Sequence, residues 1–218
     1  MTSKQTSLFN PSISEQASAQ KPEENTTEDI DIEEVKARCL KCQKCGLAKT
    51  RTNVVFGEGV LTSEIMLIGE GPGQQEDETG RPFVGKAGQL LDKILESQGF
   101  SREQNVYICN VVKCRPPGNR VPAEEEAAAC REYLDAQIKY MKPKIIILCG
   151  STALKAMLNI KSGITKIRGQ WFDGPYGSKM MPFFHPSYLL RNQSKAEGSP
   201  KWLTWQDIQE IKRVHDSL

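Results

Sequence analysis

Histidine, aromatic residues and long apolar runs are all scarce in this chain. It has 218 residues, of which 2 are histidine and 7% are aromatic. No apolar run approaches the roughly 20 residues that a transmembrane helix needs. The N-terminus also lacks the basic start and apolar core of a secretory signal peptide. These absences argue against a membrane-spanning or secreted protein, and we expect a cytoplasmic one.

A strong net charge is missing too, but the small total hides an asymmetry. Residues 1–35 carry a charge of −6 and the remainder carries +8, within a total of +2. A basic globular part suits a polyanionic partner such as nucleic acid, although ordinary solvated lysines would give the same balance. Residues 1–30 are rich in Ser, Thr, Gln and Glu. We expect a disordered tail there and a globular domain over 31–218.

Strand and helix patterns alternate along the globular part. Short apolar runs predict buried strands at 64–69, 106–112, 144–150 and 179–184. Helical spacing and capping residues predict helices at 33–38, 87–98, 122–140, 151–158 and 203–215. This alternation predicts an α/β fold with a parallel sheet covered on both faces. In such sheets ligands bind beyond the carboxyl ends of the strands.

An acidic, glycine-rich loop at 69–77 follows the first predicted strand. Its candidate site residues are Gly69, Glu70, Gly71 and Glu76. Glycines let a ligand approach the backbone, and carboxylates suit water activation or stabilisation of a developing cation. A dinucleotide-binding loop fits poorly, because Pro72 removes a donor and the carboxylates would repel a pyrophosphate. A tight acidic turn with no function is the plain alternative.

Three further residues near strand ends are suited to binding a base. Phe83 lies in a loop between two glycines and can stack on a flat ligand. Asn110 offers one acceptor and two donors for reading a base edge. His185 can donate a hydrogen bond from a neutral imidazole to a developing oxyanion. Taken singly, each also has a structural explanation: a packed aromatic, a satisfied turn residue or a buried histidine.

The segment after His185 is a candidate wedge for a base stack. It contains Leu189, Leu190 and Arg191. Apolar and cationic side chains inserted between bases can hold a nucleotide out of the helix. The start of an amphipathic helix would give the same pattern.

Cysteine, in contrast, is abundant, with 7 residues. Cys39, Cys42 and Cys45 form one short run, and Cys114 and Cys130 follow later. In a reducing cytoplasm clustered thiols indicate a metal or iron–sulfur site rather than disulfides. Zinc and a four-iron four-sulfur cluster both accept four thiolates, so the spacing leaves that choice open.

Together, and in this order, the motifs resemble the family 4 uracil-DNA glycosylases. The similar segments lie between about Cys42 and Asp216, at 54–59, 69–77, 79–91, 110–117, 164–169 and 185–192. The resemblance implies a three-layer α/β/α fold around a four-stranded, mostly parallel sheet. It also implies hydrolysis of the N-glycosidic bond of uracil in DNA as a step of base excision repair.

The resemblance further implies a 4Fe-4S cluster and a role for each site residue. The implied ligands are Cys42, Cys45, Cys114 and Cys130, and Cys39 falls outside the pattern. Uracil would stack on Phe83, contact the backbone at Glu70 and Gly71, and meet Asn110 at its Watson–Crick edge. His185 would bond the uracil O2, Glu70 would position water or stabilise the sugar cation, and Glu76 would fill the space of a thymine methyl group. Leu189, Leu190 and Arg191 would fill the vacated stack.

Two related functions and one extra partner stay open at this point. A covalent uracil-DNA-capturing relative would carry a basic insertion before His185, which this chain lacks. A non-catalytic iron–sulfur module that binds DNA is the other alternative. Residues 5–9 resemble peptides that dock bacterial repair proteins on the sliding clamp, through Gln5, Leu8 and Phe9. We expect no membrane partner and a monomer.

Overall fold

The computed structural model describes residues 30–158 and 160–218. The predicted tail and the predicted clamp peptide at 5–9 therefore lie outside the described residues. Within the described part no helix is both long and apolar enough to cross a membrane.

Six strands form a single mixed sheet. They are β1 (Glu58–Gly59), β2 (Ile65–Gly69), β3 (Val106–Asn110), β4 (Ile145–Cys149), β5 (Phe172–Asp173) and β6 (Lys179–Phe183). Their order is β1-β3-β2-β4-β6-β5, and the four central strands run parallel. The four predicted strands are thus confirmed, while the predicted count of four is corrected to six. The two added edge strands are antiparallel and only two residues long, too short for a recognisable apolar pattern.

Eight α-helices surround this sheet in the described residues. They are α1 (Ile32–Leu40), α2 (Gln74–Thr79), α3 (Lys86–Glu96), α4 (Glu124–Met141), α5 (Ser151–Met157), α6 (Ile164–Ile167), α7 (Pro186–Arg191) and α8 (Pro200–His215). Local sequence explains several of their ends. The Asp31 carboxylate accepts hydrogen bonds from two amides of the first turn of α1, and three glutamates open α4 where the helix dipole favours negative charge.

The sheet separates two apolar cores, which makes the fold three-layered. Met66 and Ile68 of β2 pack on one face with residues of α1, α4 and α5. Ile65 and Leu67 pack on the other face with residues of α3 and α8. Because successive strand residues point to opposite faces, an uninterrupted apolar strand such as β2 must be covered on both sides.

The register brings the polar residues that follow the strands to one edge. Gly69 pairs with Asn110, and Cys149 pairs with Phe183. The carboxyl ends of three parallel strands therefore place Glu70, Asn110 and His185 at the same edge of the sheet. This is the carboxyl edge, where the open-sheet rule places a ligand.

Candidate active site and cysteine centre

A cleft of about 420 Å³ opens at this carboxyl edge. Seven of the residues singled out in the sequence line it: Glu70, Gly71, Glu76, Phe83, Asn110, His185 and Arg191. Its size lies within the roughly 300–1,000 Å³ that is usual for small-ligand sites. A second cleft of about 380 Å³ adjoins it and shares Glu70, His185, Ser187 and Arg191.

His185 is held as a neutral hydrogen-bond donor. It caps α7, and its Nδ1 accepts the backbone N–H of Ser187 at 3.1 Å. A backbone N–H can only donate, so Nδ1 must accept and the proton of the neutral ring is on Nε2. Burial, followed by the positive charge of Arg191, lowers the pKa of His185 to about 4, with Glu76 acting in the opposite direction. The imidazole is therefore neutral at pH 7 and presents one N–H.

Asn110 presents a buried acceptor that has no donor. Its side chain is 1% exposed, and within the described residues its Oδ1 has no hydrogen-bond partner. The side chain fits because position 69 is glycine: a Cβ on Gly69 would lie 2.4 Å from Asn110 Oδ1 and 2.5 Å from the Phe83 ring. A buried unpaired carbonyl oxygen is unfavourable by about 1–3 kcal/mol. A ligand that donates a hydrogen bond here would remove this penalty.

Phe83 lies 5.7 Å from the His185 ring, centroid to centroid, in a strained backbone conformation. Its φ is +53°, which is unfavourable for a residue with a Cβ. Arg102, 5% exposed, holds that conformation by donating to the carbonyl oxygens of Pro82 at 2.7 Å and Phe83 at 2.8 Å. Asp92 of α3 fixes the guanidinium at 2.7 Å. No sequence pattern indicates Arg102, because it is distant from the loop along the chain.

Gly88 lets this loop lie directly on α3. A Cβ at position 88 would be 1.9 Å from the Phe83 carbonyl oxygen. Because that atom belongs to the backbone, no side-chain movement could make room. The aromatic ring is therefore placed both by hydrogen bonds and by a close backbone contact.

Glu76 connects the acidic loop with the loop of Phe83. Its Oε1 accepts from the backbone amides of Val84 at 2.9 Å and Gly85 at 2.8 Å, and its Oε2 accepts from Gly73 at 3.1 Å. A carboxylate with three amide donors is firmly oriented. Glu76 lines the cleft as a fixed wall, and its oxygens are already used.

Glu70 keeps one carboxylate oxygen without a protein partner among the described contacts. Its Oε2 accepts from the hydroxyl of Thr152 in α5, and the side chain borders both clefts. Sequence patterns did not single out Thr152, although it follows the end of a parallel strand by only three residues. Of Glu70 and Glu76, the two carboxylates of the loop that line the cleft, Glu70 is the one available to a ligand or a water molecule.

The candidate wedge is only partly exposed. Leu189 is 1% exposed and packs inside the protein, whereas Arg191 is exposed and Leu190 is half-buried. Because α7 is a helix, adjacent residues point in different directions, and Leu189 faces the core. Of the three predicted wedge residues, Leu190 and Arg191 are the two that reach the surface.

The predicted thiol ligands line a third cavity, which is separate from both clefts. Cys42, Cys45, Cys114 and Cys130 surround it together with Cys39. Arg51 donates to Cys114 Sγ at 3.3 Å, and the backbone N–H of Lys113 donates to Cys130 Sγ at 3.3 Å. Such donors stabilise thiolates, and four sulfurs facing one cavity suit a thiolate-bound metal centre. Among the described residues no group of three or more His, Cys, Asp or Glu is arranged to hold a single metal ion.

Burial raises the pKa of three thiols at this cavity, those of Cys39, Cys114 and Cys130. It raises the pKa of Cys39 to about 12 and the pKa of Cys130 to about 11, and the charge of Lys113 opposes the effect at both. Burial also raises the pKa of Cys114, against the effect of Arg51. Cys109 and Cys149 lie fully buried in strands β3 and β4, where a free cysteine packs as a small apolar residue.

The fold and the cleft define a class of protein. It is an α/β protein with a cleft at the carboxyl edge of its sheet, and the cleft combines an aromatic ring, an unpaired acceptor and a neutral N–H donor, a set suited to a flat heterocycle.

Comparison with known proteins shows which family this chain belongs to. The family described as the uracil DNA glycosylase superfamily matches residues 56–209. A type-4 uracil-DNA glycosylase of Thermotoga maritima is 50% identical over 188 residues, 86% of this chain and 95% of that protein. One of Saccharolobus solfataricus is 46% identical over 75% of this chain and 77% of its own length. A type-5 enzyme of Pyrobaculum aerophilum is 29% identical over 71% of this chain and 72% of its own. The chain belongs to the uracil-DNA glycosylase superfamily and, within it, to the type-4 family.

Proposed function

We propose that this protein excises uracil from DNA by hydrolysing its N-glycosidic bond, which leaves an abasic site for base excision repair. The family assignment supports the reaction, and one observation carries the choice of base. Asn110 presents a buried acceptor without a donor in a cleft that is otherwise built for a flat ring. The N3–H of uracil supplies that donor.

Base recognition follows from the donors and acceptors of Asn110. Its Oδ1 accepts from uracil N3–H, and its amide N–H donates to uracil O4. Cytosine presents an acceptor at N3 and an amine at C4, so both contacts would be lost and both groups would remain buried and unpaired. Because a base inside a duplex cannot reach the cleft, the nucleotide must flip out and stack on Phe83.

His185 stabilises the departing base. As the glycosidic bond breaks, negative charge builds on uracil O2, and the Nε2–H of His185 donates to that oxygen. A neutral donor is suited to this task, because it lowers the energy of the anion without protonating it. The hydrogen bond from Ser187 to Nδ1 fixes the tautomer that presents Nε2–H.

Glu70 and Glu76, the carboxylates of the acidic loop that line the cleft, take different roles. Glu70 positions the water that adds to the sugar carbon, or stabilises the positive charge of the sugar, through its oxygen that is not bound to Thr152. Glu76, fixed by its three amides, forms the wall that excludes the 5-methyl group of thymine. Backbone groups at Gly69, Glu70 and Gly71 complete the contact with the base.

Leu190 and Arg191 fill the gap that the flipped nucleotide leaves in the stack. They lie on α7, whose N-cap is His185, so the same helix carries the wedge and the oxyanion donor. We expect the second cleft, which shares Arg191 with the first, to receive the DNA backbone beside the flipped nucleotide.

Cys42, Cys45, Cys114 and Cys130 are the proposed ligands of a 4Fe-4S cluster. Glycoside hydrolysis transfers no electrons, so the cluster has a structural role and anchors the segment between Cys114 and Cys130 against the N-terminal cysteine run. That segment supplies Asn119 and Arg120 to the cleft. A colourless, active protein that contains zinc and no iron would contradict this assignment.

The sliding clamp remains a proposed partner on sequence grounds alone, through Gln5, Leu8 and Phe9. Deletion of residues 1–10 should abolish capture by the clamp in a pull-down and leave excision from short oligonucleotides intact. Loss of both, or of neither, would argue against a dedicated docking peptide. We also propose that the protein acts as a monomer.

A uracil-containing oligonucleotide tests the reaction. After incubation, alkali treatment and a denaturing gel, strand cleavage at the uracil with more than one turnover per protein supports the proposal. A shifted covalent band would instead indicate uracil-DNA capture, and an unchanged strand would indicate a binding module. The same strand with cytosine in place of uracil is the matched control and should stay intact.

A further inference from the structure

Lys113 is a buried cation situated between the cleft and the cysteine cavity. It is 1% exposed. Its Nζ donates to the backbone carbonyl of Asn110 at 2.9 Å and to Gln137 Oε1 at 2.6 Å, and it lies 5.9 Å from the centre of the Phe56 ring. All three partners are electrically neutral. They satisfy the donors of the ammonium group but do not balance its charge.

No carboxylate compensates this charge in the described part of the chain. None of the ion pairs found there includes Lys113. A buried charge without a counter-charge is strongly unfavourable, so lysine is rarely buried unless it is paired. A negative group that forms in the working protein is therefore expected close to Lys113.

The cysteine cavity can supply that negative charge. Lys113 lines the cavity, is adjacent in sequence to Cys114, and donates its backbone N–H to Cys130 Sγ. A thiolate-bound centre brings negative sulfurs to this position, because metal binding releases the thiol protons. Two other cationic side chains line the cavity. Lys44 is exposed and paired with Glu132, and Arg51 is half-buried and donates to Cys114, so Lys113 is the most deeply buried of the three.

Hydrogen bonds also connect Lys113 with the end of β3, which carries Asn110, the proposed base-reading residue. Gln137, which is fully buried, accepts from Lys113 and donates to the carbonyl of Phe56 at 2.9 Å and to the hydroxyl of Tyr107 at 3.0 Å. Lys113 itself holds the carbonyl of Asn110, whose side chain faces the cleft. Lys113 therefore borders the cysteine cavity through its backbone N–H and bonds the backbone of Asn110 through its ammonium group.

We propose that Lys113 is the internal counter-charge of the thiolate centre and, at the same time, a positioning residue for Asn110. This inference rests on the proposed cluster and on the proposed base-reading role of Asn110. Under this proposal the metal centre affects the reaction without any electron transfer. The negative thiolates stabilise the ammonium group of Lys113, and that ammonium group fixes the backbone of Asn110.

Three variants separate charge from packing. Lys113→Met removes the charge and keeps much of the volume, Lys113→Arg keeps the charge, and Gln137→Met removes a neutral partner while the cation stays. Iron and zinc per chain, visible absorbance and the reduction potential of the centre report on the cysteine site. KM and kcat for uracil excision report on the cleft, and circular dichroism checks that each variant is folded.

The proposal predicts a distinct pattern. Lys113→Met should bind at least twofold less metal or show a more negative reduction potential, because a nearby cation favours the reduced, more negative centre. Its KM for uracil DNA should rise at least fivefold, more than kcat falls. Lys113→Arg should retain metal content and potential, and Gln137→Met should do so as well.

Wild-type metal content and potential in folded Lys113→Met would overturn the counter-charge. If Lys113→Met does not fold, Lys113→Arg tests the counter-charge instead. A folded arginine variant that loses its metal would overturn that role, because the positive charge is still present. An unchanged KM in a folded Lys113→Met would overturn the positioning role. Wild-type protein with zinc instead of iron would refute the cluster assignment of the preceding section, and metal content would still test Lys113.

Discussion

Substitution of His185 by alanine is expected to slow cleavage of the glycosidic bond of uracil on the order of a hundredfold to a thousandfold. The neutral ring has one N–H left to donate to a ligand, that of Nε2, since Nδ1 accepts from the Ser187 amide and lies 2.8 Å from the Ser187 hydroxyl. The side chain borders both clefts and has a pKa of about 4, lowered first by burial. A preorganised donor to an oxyanion in such a site is worth about 3–4 kcal/mol of transition-state energy.

A single-turnover measurement isolates this step. Enzyme in excess over a labelled uracil oligonucleotide reports the chemical rate without product release. His185→Ala should lower the maximal rate by the stated factor with a much smaller effect on DNA binding, because the donor acts mainly when charge develops on the base. Ser187→Ala is the matched control: it keeps the backbone N–H that fixes Nδ1 and removes only the hydroxyl, so the loss should stay below about tenfold.

The pH dependence gives an independent check of the same role. A donor that is neutral down to about pH 4 should leave the single-turnover rate without a titration step near pH 6.5. A rate for His185→Ala within about threefold of the wild-type rate would refute the oxyanion role. A step near pH 6.5 that disappears in the variant would show that the protonated ring acts instead.

Three further predictions concern the surroundings of the cleft and the cysteines. Arg102→Gln should raise KM for uracil DNA about tenfold or more, because the stacking phenylalanine loses the donors that hold its strained loop; Arg81→Gln, an exposed neighbour, should not. Between pH 6.5 and 4 the free energy of unfolding should fall by up to about 3 kcal/mol through His185, because the unfolded histidine binds a proton that the folded one does not; above pH 6.5 this contribution is constant. Cys130→Ser should lose bound metal, whereas Cys39→Ser should keep it.

Each of these has a measurement that can contradict it. Steady-state kinetics on both arginine variants test the loop, and equal effects would show that the backbone contacts of Arg102 are irrelevant. Urea unfolding at several pH values tests the histidine, and His185→Gln should show a smaller fall below pH 6.5 than the wild type. Metal analysis tests the cysteines, and loss of metal in Cys39→Ser would place that residue among the ligands.

Sequence patterns were sufficient for the central architecture. Strands β2 and β4 are continuous apolar runs, and β3 and β6 are apolar except for Asn110 and Lys179 at their ends. Both faces of the sheet are covered, so such runs can be recognised without tertiary information. The residues after them were predictable as a site for the same reason, since parallel strands end at one edge. The two edge strands were not, because a two-residue pair is defined by its neighbour rather than by its own sequence.

Contacts between distant residues explain the rest of the differences. Arg102 and Thr152 act on the cleft through hydrogen bonds to Phe83 and Glu70, which no local pattern reveals. Leu189 looks like a surface wedge in the sequence, but helix geometry turns it into the core. The separate roles of Glu70 and Glu76 likewise depended on which carboxylate the backbone amides already occupied.

Lys113 illustrates the same limit. A lysine beside a cysteine is usually read as solvated, and only its burial between two sites suggests otherwise.

A crystal structure of the protein with bound uracil would test the central assignment most directly. We expect the ring to stack on Phe83, Asn110 Oδ1 to accept from N3–H, and His185 Nε2 to lie within hydrogen-bond distance of O2. Uracil bound outside this cleft, or bound with its Watson–Crick edge turned away from Asn110, would contradict the account.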